Sequence, residues 1–234
     1  MKSRALPLLL VLSSLLVAQT GTTKEVEITA DPGHHLTLEN EYIRAFNVEV
    51  PPHSPTLLHR HRHDYIFITL GDTQVENDVE GKPPVTLQLK DGETRFVPGK
   101  FAHVAKNLTG TPFRNVTIEF LKDQEAQKNP ATWNEERGLH VLNGGTIDIM
   151  FVKDNVRVSE VELQPGGVVP MHHHDTPHLA VAITDLELRS ESEGKPPVTL
   201  ALKSGEMKWV PAGLTHTITN IGKQPARLIT LEFK

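Results

Sequence analysis

The chain has 234 residues, with 24 Lys and Arg against 29 Asp and Glu, and it contains no cysteine. This length suits one large domain or two modest ones. The mildly acidic balance, without a basic stripe, argues against a nucleic-acid partner. The lack of cysteine excludes disulfides and thiolate metal ligands, so burial of apolar side chains must hold the fold together.

Residues 1–20 have the pattern of a secretory signal peptide. Lys2 and Arg4 precede an apolar run over residues 5–17, and small residues follow that run. The run is shorter than the roughly 20 residues that a membrane-spanning helix needs, which favours cleavage over anchoring. We therefore expect a periplasmic or secreted protein that has no membrane contact after cleavage.

Alternating and apolar runs predict short β-strands along the rest of the chain. The clearest runs are residues 42–50, 65–70, 116–121, 156–163, 179–183 and 228–233. Gly, Pro and Asp-Gly clusters separate them at intervals of about ten residues, a pattern typical of sandwiches and barrels. Residues 123–137 lack β character and are rich in Glu, Gln, Lys and Asn, which indicates a linker, with a short helix as the alternative.

The two halves of the chain repeat each other at an offset of 113 residues. Gly81–Leu87 and Gly194–Leu200 are identical, and 15 of the 27 positions from residue 81 to 107 match their counterparts. Such self-similarity predicts a tandem duplication of a whole domain. We therefore expect an all-β chain of two domains, at residues 21–122 and 140–234, joined by a linker at residues 123–139.

A histidine cluster occurs once in each half at matching spacing. His172 and His174 lie one residue apart, and His216 follows His174 by 42 residues, as His103 follows His61. Two histidines one residue apart on a strand point to the same face, and histidine is the commonest metal ligand. Each half is therefore predicted to carry a metal site.

The second half resembles the cupin superfamily, whose motifs read Gly-x5-His-x-His-x3–4-Glu-x6-Gly and Gly-x5-Pro-x-Gly-x2-His-x3-Asn. The second motif is matched in full at Gly205, Pro211, Gly213, His216 and Asn220. The first motif is matched at Gly166, His172 and His174, whereas His178 stands where the family has glutamate and Asp185 where it has glycine.

The resemblance implies two tandem jelly-roll barrels, each built around one metal ion. Carried over by position, His172, His174 and His216 match family ligands, and His178 takes the fourth ligand position. Neutral imidazoles suit iron, manganese, copper, nickel or zinc better than calcium or magnesium, so the cofactor is expected to be a divalent transition metal. His173 falls between two ligand positions and is expected to face away.

The first half follows the pattern less regularly. His59, His61 and His103 align with His172, His174 and His216, which makes them the candidate ligands. Three alternatives stay open: His61 with His63 as the pair, and Asp64 or Tyr65 in the fourth position. His53 replaces the family glycine, and the motif glycine near Pro98 is shifted by one residue.

Two carboxylates occupy equivalent places on the last predicted strand of each half. Glu119 and Glu232 are flanked by apolar residues, and the pattern does not decide whether they point inward or outward. An inward carboxylate would orient a ligand histidine or act as an acid or base.

Three functions remain open from the sequence. The first is a metalloenzyme of the cupin dioxygenase or oxidoreductase type that acts on a small molecule. The second is an isomerase, lyase or decarboxylase that uses the metal as a Lewis acid. The third is a non-catalytic module that binds a small ligand or carries metal. A monomer and a homodimer are both compatible with the duplication.

Overall fold

A computed structural model describes residues 24–122, 128 and 131–234, and the predicted signal peptide at residues 1–20 lies outside this part. The fold is all-β, as predicted. The first half contains a short 3-10 helix at Ile28–Ala30 and ten strands. These strands are β1 (Val26–Glu27), β2 (His34–Glu39), β3 (Ile43–Val50), β4 (His59–His61), β5 (Tyr65–Leu70), β6 (Thr73–Val79), β7 (Val85–Leu89), β8 (Thr94–Val97), β9 (Phe101–Asn107) and β10 (Phe113–Phe120).

The second half contains eight strands, two of which are unusually long. These strands are β11 (Gly138–Lys153), β12 (Val156–His174), β13 (His178–Ala182), β14 (Leu186–Glu191), β15 (Val198–Leu202), β16 (Met207–Val210), β17 (Leu214–Asn220) and β18 (Ala226–Phe233). Strand β11 begins two residues before the predicted domain boundary. Residues 123–127 and 129–130 of the predicted linker lie outside the described part of the chain.

Each half forms a jelly-roll barrel, which we call the N-terminal and C-terminal barrel. In the N-terminal barrel, one sheet has the order β1-β4-β9-β6-β7 and the other β2-β3-β10-β5-β8. In the C-terminal barrel, the long strand β12 joins both walls, because Val156–Leu163 pairs with β18 and Val168–His174 pairs with β17. The order there is β15-β14-β17-β12-β18-β13-β16, with β11 beside β12.

The two barrels pack through a shared apolar core. Strand β10 directs Val116 and Ile118 outward, and these side chains join Leu179 and Leu231 of the C-terminal barrel in one buried cluster. Each barrel also has its own inner core, which for the N-terminal barrel includes Phe46. Residues 116–120 of β10 are therefore buried on both faces, although their sequence still alternates between apolar and polar side chains.

An ion-pair network ties the barrels together at their edge. The guanidinium of Arg227 donates to Asp91 of the N-terminal barrel at 2.7 Å and to Glu160 of its own barrel at 2.8 Å. Arg114 donates in the other direction to the carbonyl of Ser204 at 3.1 Å. Among the described residues, no helix combines the length and apolar character that crossing a membrane requires.

Candidate metal centres

The structure places the three predicted histidines of the N-terminal barrel side by side. His59 and His61 alternate on β4, and His59 lies opposite His103 on β9. All three side chains are buried, with His59 only 1% and His61 only 2% exposed. The Nε2 atoms of His59 and His103 are 3.1 Å apart.

A further histidine outside the motifs forms a converging group with His59 and His61, and His103 approaches this group through His59. His34 on β2 contributes a ring nitrogen that lies within 4.8 Å of those of His59 and His61. Its ring centroid is 4.6 Å from that of His59. Asp31 accepts a hydrogen bond from Nδ1 of His34 at 3.0 Å, and the other Asp31 oxygen accepts one from the Leu57 amide at 2.7 Å.

The hydrogen bonds of these imidazoles fix where their protons lie. The Nδ1 atoms of His59, His61 and His103 each face an acceptor oxygen: the Leu57 carbonyl at 2.9 Å, the Glu119 carboxylate at 3.3 Å and the Asn77 side chain at 2.6 Å. In a neutral imidazole the Nε2 atom then carries only a lone pair.

The Nε2 lone pairs of His59 and His103 are 3.1 Å apart with no proton between them, so these two atoms repel each other. A cation held between the Nε2 atoms removes this repulsion, and outer hydrogen bonds of this kind are what metal-ligating histidines have in other proteins. The residues present therefore fit a divalent transition metal.

The C-terminal barrel builds a similar group from β12 and β17. His172 lies opposite His216, and one ring nitrogen from each of His172, His174 and His216 lies within 4.8 Å of the others. The Nε2 of His174 is 3.0 Å from that of His172 and 3.2 Å from that of His216. These are three of the four ligands predicted for this half.

The outer nitrogens of this second group are held less completely. His172 donates from Nδ1 to the Pro170 carbonyl at 2.8 Å, and Nδ1 of His216 lies 2.8 Å from the Ser190 hydroxyl. The Nδ1 of His174 is buried without a hydrogen-bond partner among the described residues, 3.7 Å from a Glu232 oxygen. The converging Nε2 atoms again fit a cation.

The fourth position differs between the barrels. His178 lines the C-terminal cavity, but its ring stacks on His174 at 4.0 Å and it does not belong to the converging group. Tyr65 stacks on His61 in the same way, also at 4.0 Å. The assignment of His178 as a fourth ligand therefore stays a prediction, and its buried Nδ1 has no partner in the described part of the chain.

The remaining alternatives for the first half lie elsewhere. Asp64 is buried and accepts a hydrogen bond from the Gly99 amide at 2.8 Å, so it stabilises the turn before β9. His63 follows the end of β4 and is outside the group of converging nitrogens. In the second half, His173 is exposed and its Nδ1 lies 2.7 Å from the Thr215 hydroxyl.

Both carboxylates of the last strands point inward, toward the histidines. Glu119 is fully buried and accepts hydrogen bonds from Arg44 at 2.6 Å as well as from His61. Glu232 accepts a hydrogen bond from Arg157 at 2.7 Å and is 19% exposed. Burial alone would raise the pKa of each carboxyl, but the neighbouring histidine and arginine lower it, so both are ionised at neutral pH.

Burial favours the neutral form of several histidines in the two sites. It lowers the pKa of His59 and of His216 to about 4, with neighbouring imidazoles adding to the effect. Burial likewise lowers the pKa of His61 and holds that of His103 well below its ordinary value. Neutral imidazoles are the form that binds a metal.

Both centres open into cavities whose walls combine polar and apolar side chains. The N-terminal cavity, about 330 Å³, is lined by polar side chains such as Asn77 and Asn115 and by apolar ones such as Phe67 and Leu87. The C-terminal cavity is about 490 Å³, and Ile147 and Leu228 are among the apolar side chains that wall it. The C-terminal site therefore combines an accessible metal position with apolar walls, which is the usual character of a small-molecule site.

Two departures from the cupin motifs have a backbone explanation. His53 and Lys100 have φ values of 54° and 70°, and their counterparts at the same repeat positions are Gly166 and Gly213, with φ values of 78° and 83°. Glycine adopts this left-handed region without strain. The turns around the N-terminal site are therefore preserved although the glycines are not.

Comparisons with known proteins agree with this architecture. Residues 159–232 match the family model described as Cupin domain. The xanthan biosynthesis protein XanB of Xanthomonas campestris pv. campestris is 26% identical over 111 residues, which cover 47% of this chain and 22% of that protein. The chain thus spans about a fifth of the length of the curated relatives that it matches.

Solved structures show the same fold at low sequence identity. A point mutant of oxalate decarboxylase OxdC from Bacillus subtilis matches with a TM-score of 0.60 at 14% identity, covering 89% of this chain and 76% of that one. AerE from Microcystis aeruginosa matches with a TM-score of 0.58 at 12% identity, covering 87% and 98%. A further structure of the same decarboxylase concerns its Mn(II) centres.

Proposed function

We propose that this chain is an exported bicupin, a metalloenzyme of the cupin dioxygenase or oxidoreductase type that acts on a small molecule. The observation that carries the proposal is the set of converging Nε2 atoms of His172, His174 and His216 at the edge of an open, apolar-walled cavity. A purely structural metal site would be closed off from ligands.

The bound metal would act as a Lewis acid and, if redox-active, would let the substrate react with dioxygen. The chain itself supplies the rest. Glu232, held by Arg157, places a negative charge 3.7 Å from the imidazole of His174, while the apolar wall would exclude water and contact the substrate body. His178 lines the same cavity and stacks on His174.

The metal is proposed to be iron, manganese, copper, nickel or zinc. Manganese gains support from the Mn(II) centres of the structurally similar oxalate decarboxylase. A dioxygenase places both atoms of O2 into its substrate and so needs no external reductant. A redox-active metal together with oxygen uptake would therefore favour the dioxygenase, and turnover without oxygen would favour Lewis-acid chemistry.

The first test is the metal content of the mature, untagged protein, measured by mass spectrometry. The variants H172A/H174A and H59A/H61A should each lose about one equivalent and keep the β-rich circular dichroism spectrum. Oxygen-uptake assays with small-molecule libraries would follow on the loaded protein. A protein that binds no metal even after reconstitution would refute the enzyme proposal and point to a ligand-binding module.

Export is tested separately, by N-terminal sequencing of the protein recovered from cell fractions. We expect a mature N-terminus near residue 21 and recovery outside the cytoplasm. A full-length N-terminus in the cytoplasmic fraction would refute export and leave the metal chemistry untouched.

A further inference from the structure

One strand position distinguishes the two metal centres. His34 lies opposite Val48 in the pairing of β2 with β3, and Ile147 lies opposite Val161 in the pairing of β11 with β12. Ile147 and Val161 lie 113 residues after His34 and Val48, so the two pairs occupy equivalent positions in the repeat. Both side chains line the cavity of their own barrel, so an imidazole in one barrel is replaced by a butyl group in the other.

The imidazole of His34 is rigidly supported. Its Nδ1 donates to Asp31, which is only 2% exposed and also accepts hydrogen bonds from the Gly33 and Leu57 amides. The Nε2 of His34 is therefore left with a lone pair beside the ring of His59. This support makes His34 a fourth nitrogen donor from outside the sequence motifs.

The C-terminal barrel does not build the same support. The counterpart of Asp31 is Gly144, whose φ is +75° and whose added Cβ would come within 2.9 Å of the Gly167 backbone. An aspartate there would require the Gly167 backbone to shift. The histidines of this barrel are also less covered, since His172 and His174 are half-buried whereas His59 and His61 are buried.

We propose that the exchange of His34 for Ile147 gives the two barrels different tasks. The four histidines of the N-terminal barrel hold the metal more firmly and leave it fewer positions for outside ligands. The three-histidine centre of the C-terminal barrel offers the position beside Ile147 to a small molecule that has one donor atom and an apolar body. This inference rests on the proposed function, because it requires both centres to bind metal.

Reciprocal variants at residues 34 and 147 test whether the extra histidine makes a centre retain its metal. Cobalt(II)-loaded protein is challenged with excess EDTA, and the loss of each equivalent is followed by its visible absorption. The wild type should lose one equivalent fast and the other slowly. H34I should make both losses fast, and I147H should slow the fast one by more than about tenfold, since even an outer partner of a ligand is worth that much. I147A, which adds no donor, should leave the fast phase unchanged.

Azide, a small anion that binds metals at open positions, tests whether the C-terminal centre offers a position to an outside ligand. The wild type should bind one azide per chain, H59A/H61A should keep this binding and H172A/H174A should lose it. Benzoate should displace azide at least about tenfold better than acetate, because a buried phenyl ring removes on the order of 100 Å² of apolar surface from water. The two paired-histidine variants make the test independent of whether I147H folds.

The outcomes separate this inference from the proposed function. Absence of bound metal from both barrels would refute the proposed function itself, and absence from the N-terminal barrel alone would overturn only the division of tasks. Two metals with equal EDTA kinetics, azide binding at both barrels or at the N-terminal barrel alone, or an I147A variant that behaves like I147H would each overturn the division of tasks. Equal displacement by acetate and benzoate would overturn the apolar-ligand assignment.

Discussion

Replacing Glu119 by glutamine, a side chain of nearly the same size, should weaken metal binding by the N-terminal centre. The carboxylate accepts hydrogen bonds from two nitrogens of Arg44 on one oxygen and from His61 on the other. A glutamine side chain offers one acceptor oxygen and one donor NH2 group. Either Arg44 or His61 must then face a donor, and the orientation of the His61 ring is no longer fixed.

The expected magnitude follows from the place of Glu119 in the site. Loss of an outer hydrogen-bond partner typically lowers metal affinity by about 10–100-fold, or about 1.4–2.7 kcal/mol. E119Q should reach this range because the carboxylate is fully buried. E232Q is the matched control, and its effect should be smaller because Glu232 is 19% exposed and lies 3.7 Å from His174.

The assay is a competition titration of metal-free protein with zinc and a chromophoric chelator. E119Q is measured in the H172A/H174A background and E232Q in the H59A/H61A background, so that each reports on one barrel. Unchanged zinc affinity in a folded E119Q protein would refute the argument that this carboxylate positions His61. An E232Q effect larger than that of E119Q would show that distance and burial do not govern the two sites.

Three further predictions concern stability. I118A should lower the free energy of unfolding in urea by about 2–5 kcal/mol, because Ile118 is fully buried between the barrels. A loss below about 1 kcal/mol would contradict the shared core. R227M should lower the free energy of unfolding by about 1–2 kcal/mol, because the bonds that Arg227 makes to Asp91 and Glu160 are partly exposed. An unchanged unfolding midpoint would mean that solvent screens this network. Metal-free protein should lose stability as the pH falls from about 6.5 to 4. In this range the unfolded chain takes up a proton on His59, whereas native His59 stays neutral down to its lowered pKa of about 4. Denaturation midpoints that stay constant over this range would contradict the lowered pKa.

The strand pattern could be predicted from the sequence where one face of a strand is polar, and less well elsewhere. The predicted strand at residues 156–163 is real, but β12 continues to His174 through a segment that contains Pro165 and Gly166. Such residues normally end a strand. Gly166 has a φ of +78°, which lets the strand bend from one wall of the barrel to the other without stopping.

The histidines of the motifs could be located because their spacing places them on neighbouring strands. His34 could not, because it belongs to no motif and sits on a strand whose Leu36 is 49% exposed, so that alternation conceals which face is inside. The one available signal was Asp31, three residues earlier, since a carboxylate at that distance can anchor an imidazole. That signal is too common in sequences to select a ligand by itself.

The orientation of the two glutamates shows why some site residues lie beyond sequence reasoning. On β10, Glu119 alternates with Ile118 and Phe120, yet both faces of the strand are buried because the outer face packs against the C-terminal barrel. Hydropathy therefore cannot say which face holds the metal site. The second barrel packs on the outward face of β10, so the carboxylate of Glu119 lies on the inward face. A buried charge there requires hydrogen-bond partners, which Arg44 and His61 supply.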